Sequence, residues 1–122
     1  MHELSIANAI VEGVAEKAAR CGITRVAAVH LSLGPLSGVV RDALLFAWPL
    51  AAEGTVAEGA PLVVADAPVT IFCSHCQAVT SPRSWRELVC SACGSAAGRV
   101  ASGTELEVTA FEVDDDEPAT VG

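Results

Sequence analysis

A small α+β domain interrupted by a cysteine-bearing insert is the fold class that this sequence predicts, on three observations. Apolar residues recur at three- and four-residue steps in two stretches of the first half, the pattern of amphipathic helices. Short segments of alternating character follow each of them, as half-buried strands require. Two C-x2-C pairs then fall between the last two of those strands. With 122 residues, 52% of them hydrophobic, the chain can bury one compact core and a small satellite, and it has no internal repeat beyond the paired cysteines.

The first helix is read from Leu4 to Ala18, where Leu4, Ala7, Val11, Val14, Ala15 and Ala18 form the apolar stripe and Ser5, Asn8, Glu12, Glu16 and Lys17 the polar face. Cys21 and Gly22 close it, glycine being the residue that adopts a left-handed conformation at least cost. In "RVAAVHLSLG", Ala27, Val29, Leu31 and Leu33 share one face of a strand, and Ala28, His30 and Ser32 the other. Gly34-Pro35 stops it. Ser37 is the expected N-cap of a second helix with Val40, Leu44, Ala47 and Trp48 buried, and Pro49 is expected to end or bend that helix. "PLVVADAPVTIF" reads as a second strand broken at Asp66-Ala67-Pro68. "ELEVTAFEV" reads as a third, with Leu106, Val108 and Ala110 alternating with Glu105, Glu107 and Thr109 and a bulge or edge position where Phe111 and Val113 change parity. "DDDEPATVG" has too little apolar surface to offset ordering entropy, so residues 114–122 are expected to be a disordered acidic tail.

Composition excludes several function classes. Seven Lys and Arg against 15 Asp and Glu give a net charge of -8, which repels phosphate backbones and anionic lipid, so neither nucleic acid nor membrane is an expected partner. The sequence has neither an apolar run long enough to span a bilayer nor a secretory signal pattern, and a cytoplasmic location is expected. It contains no Gly-Lys pair and hence no phosphate-binding loop, so any nucleotide-driven step belongs to another protein and the chain is not read as an enzyme.

Cys73 and Cys76, thirteen further residues, then Cys90 and Cys93 make a four-sulfur metal site the leading reading of the insert. A two-residue gap lets a tight turn aim both sulfurs at one tetrahedral ion, and Gly94 suits the cramped backbone after the second pair. Four thiolates saturate Zn2+ and leave no position for water, so the site is read as structural. Two disulfides, a redox pair and rubredoxin-like iron are the competing readings. Zinc with four thiolates would take the chain from -8 to about -10, which favours a protein partner over nucleic acid. Phe72 and Trp85 are expected to give the insert a small core. His75 reads as an exposed loop residue, Cys21 as a semi-buried one, and His30 as meeting solvent or a helix.

The chain opens with Met1, His2 and Glu3. An α-amine, a deprotonated amide nitrogen and an imidazole can close fused five- and six-membered chelate rings in one plane, an arrangement that suits Ni2+ and Cu2+ rather than Zn2+. Amines titrating near about 7.7–8.0 and imidazoles near about 6.5 release their protons to a metal around neutrality, so binding weakens as pH falls. The Glu3 carboxylate, the next amide nitrogen or a partner's group would supply the fourth donor. Taken alone, a solvated chain end is the simpler reading of this triplet; its context changes that.

"MHELSIANAI", "VHLSLGPLSGV", "LLFAW", "EGTVAEGAPLVV", the two C-x2-C pairs and "SGTELEV" together resemble the HypA/HybF hydrogenase nickel-incorporation metallochaperones over nearly the whole chain. The resemblance implies two helices packed on a three-stranded sheet, with a zinc-ribbon-like module inserted before the final strand. It thus implies a nickel domain of residues 1–70 plus 101–113 and a zinc domain of residues 71–100. It implies nickel ligation by the Met1 amine, His2 and Glu3, and structural zinc ligation by Cys73, Cys76, Cys90 and Cys93. Further nickel ligands of some members have no sure counterpart, Asp42 and His75 being nearby candidates. The implied function is transfer of Ni2+ during nickel-iron hydrogenase maturation, with a HypB-type GTPase and the hydrogenase large subunit as partners and a monomer or weak homodimer as the working form. A zinc-ribbon interaction adaptor without a transferable metal is the rival reading, and a thiol redox protein a second.

Overall fold

Helix α1, Glu3–Arg20, forms because Ala7, Ile10, Val11, Val14 and Ala18 recur on one side and are buried there. Leu4, expected in the stripe, remains 42% exposed, and Ile10, which was not counted in it, is buried. The helix ends in a Schellman motif: Gly22 has φ 71°, its N–H reaches Ala19 O at 3.2 Å, and Ile23 N–H reaches Ala18 O at 2.8 Å. The computed structural model describes residues 2–113; the acidic tail expected at 114–122 and the Met1 amine lie outside them.

Strand β1, Val26–Leu33, buries Val29, Leu31 and Leu33 as the alternation predicts. Ala27 is exposed, whereas Val26 and Ala28 of the opposite parity are also buried, so β1 is covered on both faces. It is the central strand of a three-stranded sheet of order β2-β1-β8, formed with β2, Leu62–Asp66, and β8, Leu106–Val113. β8 is an edge strand of that sheet, one of the two expected explanations of its parity change; Phe111 and Val113 are half-buried, and Leu106, Val108 and Ala110 are exposed. His30 likewise meets neither solvent alone nor a helix, because its Nε2 pairs with Glu112 Oε2 of β8 at 2.5 Å.

Helix α2, Arg41–Ala52, starts four residues after Ser37 rather than at it. A 3-10 turn, Pro35–Ser37, and Gly38 at φ 82° intervene, and Ser37 Oγ accepts from Val39 N instead. The buried side of α2 is Leu44, Trp48, Ala51 and Ala52; Val40, expected inside, is 59% exposed. Pro49 lies within the helix, which continues to Ala52 with Glu53 N donating to Pro49 O at 3.1 Å. One turn past the proline is held in part by Trp48, buried with its Nε1 donating to Ala60 O at 2.7 Å. The two helices pack against each other.

By packing, the described chain falls into two units, one of residues 2–31, 40–64 and 108–113, the other of residues 32–39 and 65–107. The second therefore takes in more chain than the 71–100 segment. Gly34 N donates to Glu105 O and Leu36 N to Gly103 O, each at 2.8 Å, and Ala67 N donates to Leu33 O at 2.9 Å. A Cβ on Gly34 would stand 2.0 Å from Gly103 O, so this backbone approach demands glycine. Within this unit β3, Thr70–Cys73, lies between β4, Ala78–Thr80, and β7, Arg99–Ser102; β5, Pro82–Ser84, pairs with β6, Glu87–Cys90. Its core is Ile71, Cys73 and Cys90, with Leu88 and Ala97 against them. Trp85 is not part of it: at the β5–β6 turn it is 46% exposed, with the Arg86 guanidinium 4.8 Å from its ring. Phe72 is half-buried under Arg99.

Candidate metal centre

Each cysteine pair sits where a strand ends and the chain must turn tightly. Cys73 closes β3 and pairs with Ala78 at the start of β4, which leaves four residues to reverse direction. Within that turn Cys76 N points at Cys73 Sγ, 3.3 Å away, and Gln77 takes a left-handed φ of 56°. Cys90 closes β6, Gly94 N donates to its carbonyl at 2.8 Å, and Gly94 adopts φ 78°. The second turn thus uses the glycine that the sequence offered; the first uses a glutamine, with its Nε2 bonded to Ser74 O.

The two turns face each other. Cys73 Sγ is 3.5 Å from Cys93 Sγ and Cys76 Sγ is 3.9 Å from Cys90 Sγ, and all four sulfurs lie within 4.8 Å of one another. Zn–S bonds of about 2.3 Å in a regular tetrahedron place sulfurs about 3.8 Å apart, so one ion fits between them with little movement. The same separations are far from the roughly 2.05 Å of a disulfide, and the cysteines are free. Cys73 and Cys90 are buried, Cys76 and Cys93 exposed, so the cluster has an inner and an outer edge.

Neighbouring donors prepare some of these thiols for deprotonation. Thr80 Oγ1 donates to Cys90 Sγ at 3.4 Å and, aided by the backbone of Cys93, draws that thiol down to about 6. Ser95 lowers Cys93 in the same way. Cys76 is pushed up to about 12, chiefly by the Cys73 and Cys93 sulfurs beside it, since a crowded set of thiols resists further negative charge. A dication reverses that balance by favouring all four thiolates. Neither Thr80 nor Ser95 was legible as part of the site, because nothing in C-x2-C spacing says which hydroxyl will face a sulfur.

Among the described residues, these four cysteines are the metal-capable cluster that the fold assembles; His2, Glu3, Asp42 and His75 are not part of it. His75 is exposed on the first turn, and Cys21 is exposed at the end of α1. His2 is the exposed N-cap residue of α1, extended at φ -92° and ψ 92°. The first intrahelical bond runs from Ile6 N to His2 O, so the preceding amide nitrogens have no partner along the helix. Glu3 is half-buried, and its Oε2 accepts from Val40 N at 3.2 Å, joining the start of α1 to the start of α2. Asp42 is exposed in the first turn of α2.

A family model described as "Hydrogenase/urease nickel incorporation, metallochaperone, hypA" matches residues 1–113. The hydrogenase maturation factor HypA of Roseiflexus sp. (strain RS-1) is 48% identical over 118 residues, covering 97% of this chain and 96% of its own. That of Chloroflexus aurantiacus (strain J-10-fl) is 46% identical over 115 residues, covering 92% and 98%. The solution structure of the Ni metallochaperone HypA from Helicobacter pylori superposes with a TM-score of 0.69 at 24% identity, covering 93% of this chain and 97% of that one, and so shares the fold.

Proposed function

The chain belongs to the HypA family of hydrogenase and urease nickel-incorporation metallochaperones, and from that premise we propose that it takes Ni2+ at its amino end and delivers it during nickel-iron hydrogenase maturation. The Met1 amine, the His2 amide and imidazole nitrogens and the Glu3 carboxylate are the donors of this reading. Zn2+ on Cys73, Cys76, Cys90 and Cys93 is structural in it.

The observation that supports it most is the position of His2, exposed and just outside α1. Its own amide and that of Glu3 precede the first intrahelical bond, so an amide nitrogen can lose its proton to a metal without unwinding a turn. Glu3 already has one partner, Val40 N, but a carboxylate has acceptor capacity for a second. A flat set of nitrogen donors at a chain end can be exchanged one ligand at a time, which suits cargo rather than a resident ion. The four sulfurs have the opposite character: they leave no open position, so the zinc they hold serves the fold.

The partners of this reading are a HypB-type GTPase, which supplies the nucleotide chemistry that the sequence lacks, and the hydrogenase large subunit, which receives the metal. An N-terminal extension tests the metal reading directly, because it converts the Met1 amine to an amide and buries His2 in the middle of a chain. The extended protein should lose nickel binding and keep its zinc. Undiminished nickel affinity in that protein would refute the assignment to residues 1–3.

A further inference from the structure

The solvent side of α2 is more apolar than an exposed helix face needs to be. Phe46 is 89% exposed and Leu50, one turn later, 63%; Leu4 of α1 is 42% exposed beside them. With Ala47, Pro49 and Glu53 they line one hollow of about 600 Å³. Asp42, Phe46, Pro49, Leu50 and Glu53 follow the spacing of a single helix face, so the apolar stripe is bracketed by a carboxylate at each end. Arg41, in the first turn of the same helix, donates to Val64 O.

We infer that this stripe is the docking surface for a protein partner of nickel transfer, one that presents an apolar segment flanked by Lys or Arg. Two considerations select that occupant. Leu4, Phe46 and Leu50 together expose on the order of 400 Å², the size of a functional patch on a monomer and about half of what each side of a standard stable interface buries, so the contact is transient. A second copy of this chain is disfavoured, because two-fold pairing would set the Asp42 and Glu53 carboxylates against their own equivalents. A basic-flanked apolar segment meets both the stripe and its charges.

Leu4 directly follows His2 and Glu3 in sequence. A partner seated on the stripe therefore brings its own donor groups to the chain end that we assign to nickel; this consequence and the choice of partner rest on the function proposed above, whereas the exposed stripe itself does not. The surface also gives a role to an exposed phenylalanine and leucine on a helix whose buried residues are Leu44, Trp48, Ala51 and Ala52.

The test is calorimetric titration of the full-length, zinc-loaded protein with the purified HypB-type GTPase. Phe46→Ala/Leu50→Ala, which keeps helix propensity and touches no buried position, should weaken binding at least tenfold. Glu53→Lys should weaken it several-fold, and added salt should weaken the unsubstituted pair. Zinc content and nickel stoichiometry of each variant, measured without partner, should match the unsubstituted protein. Affinity within twofold of the unsubstituted protein, absence of binding by that protein, or a homodimer dissolved by the same substitutions would each overturn the docking surface. A failure of the unsubstituted protein to bind nickel alone would strike the metal reading and leave the calorimetric result standing.

Discussion

Thr80 reaches Cys90 Sγ from the neighbouring hairpin, and a hydroxyl aimed at a thiolate is worth more than its size suggests. Thr80→Val keeps the shape and removes the donor, so zinc affinity should fall by roughly 10–100-fold in competition with a chelator, the usual cost of losing a partner of a metal ligand. In the proposed nickel site Glu3 would have two tasks, metal donor and acceptor for Val40 N. Glu3→Gln keeps an oxygen for Val40 N but removes the charge, so it should weaken nickel binding at unchanged stability. Glu3→Ala should weaken nickel binding and also cost about 1 kcal/mol in denaturant unfolding, through the lost cap. The four cysteines were legible because metal geometry dictates their spacing; the Glu3 tie to Val40 was not, because 37 residues separate the two.

Among the elements, α1 was read from sequence nearly end to end, since its period is clean and its glycine stop, Gly22, has a local cause. The second helix was misread at its start, and it runs three residues past Pro49 rather than ending there. Ser37 offers a hydroxyl, but Gly38 at φ 82° diverts the chain and the Glu3 carboxylate serves the helix start instead. Pro49 removes one helical hydrogen bond, yet the burial of Ala51 and Ala52 and the Trp48 bond to Ala60 O outweigh that loss. Pro49→Ala restores the missing donor and should therefore raise stability by about 1–3 kcal/mol, measured by urea unfolding with zinc bound. In β8 the apolar residues sit on both parities, and which set is buried depends on β1 beside it, information that no local alternation contains.

Across the molecule, the two units differ in what holds them. The unit of residues 2–31, 40–64 and 108–113 has two packed helices and buried Val29, Leu31, Leu44 and Trp48. The other relies on Ile71, Leu88 and Ala97 around two of its own metal-ligand sulfurs. In the zinc reading proposed above the metal holds this small core, since structural zinc supplies roughly 10–16 kcal/mol at neutral pH in isolated fingers. Chelation should accordingly abolish amide protection in β3 to β7 while α1 and α2 keep theirs, as hydrogen exchange would report; loss of both together would show that the units do not fold independently. The packed unit that holds the cysteines takes in chain on both sides of residues 71–100. The backbone bonds that add residues 32–39 to it, Gly34 to Glu105 and Leu36 to Gly103, join segments some 70 residues apart. Among the described residues, no helix is long and apolar enough to cross a membrane.

The central claim is that nickel and zinc occupy chemically different sites, nitrogen and oxygen donors for the cargo and sulfur for the resident ion. Nickel titration of untagged, zinc-loaded protein and of its His2→Ala variant, followed by absorption spectroscopy and metal analysis, tests it most directly. The account predicts one equivalent of nickel in the unsubstituted protein beyond its zinc, without sulfur-to-nickel charge-transfer bands, and its loss in the variant. Nickel that enters only by displacing zinc, with those bands present and with equal uptake by His2→Ala, would contradict it.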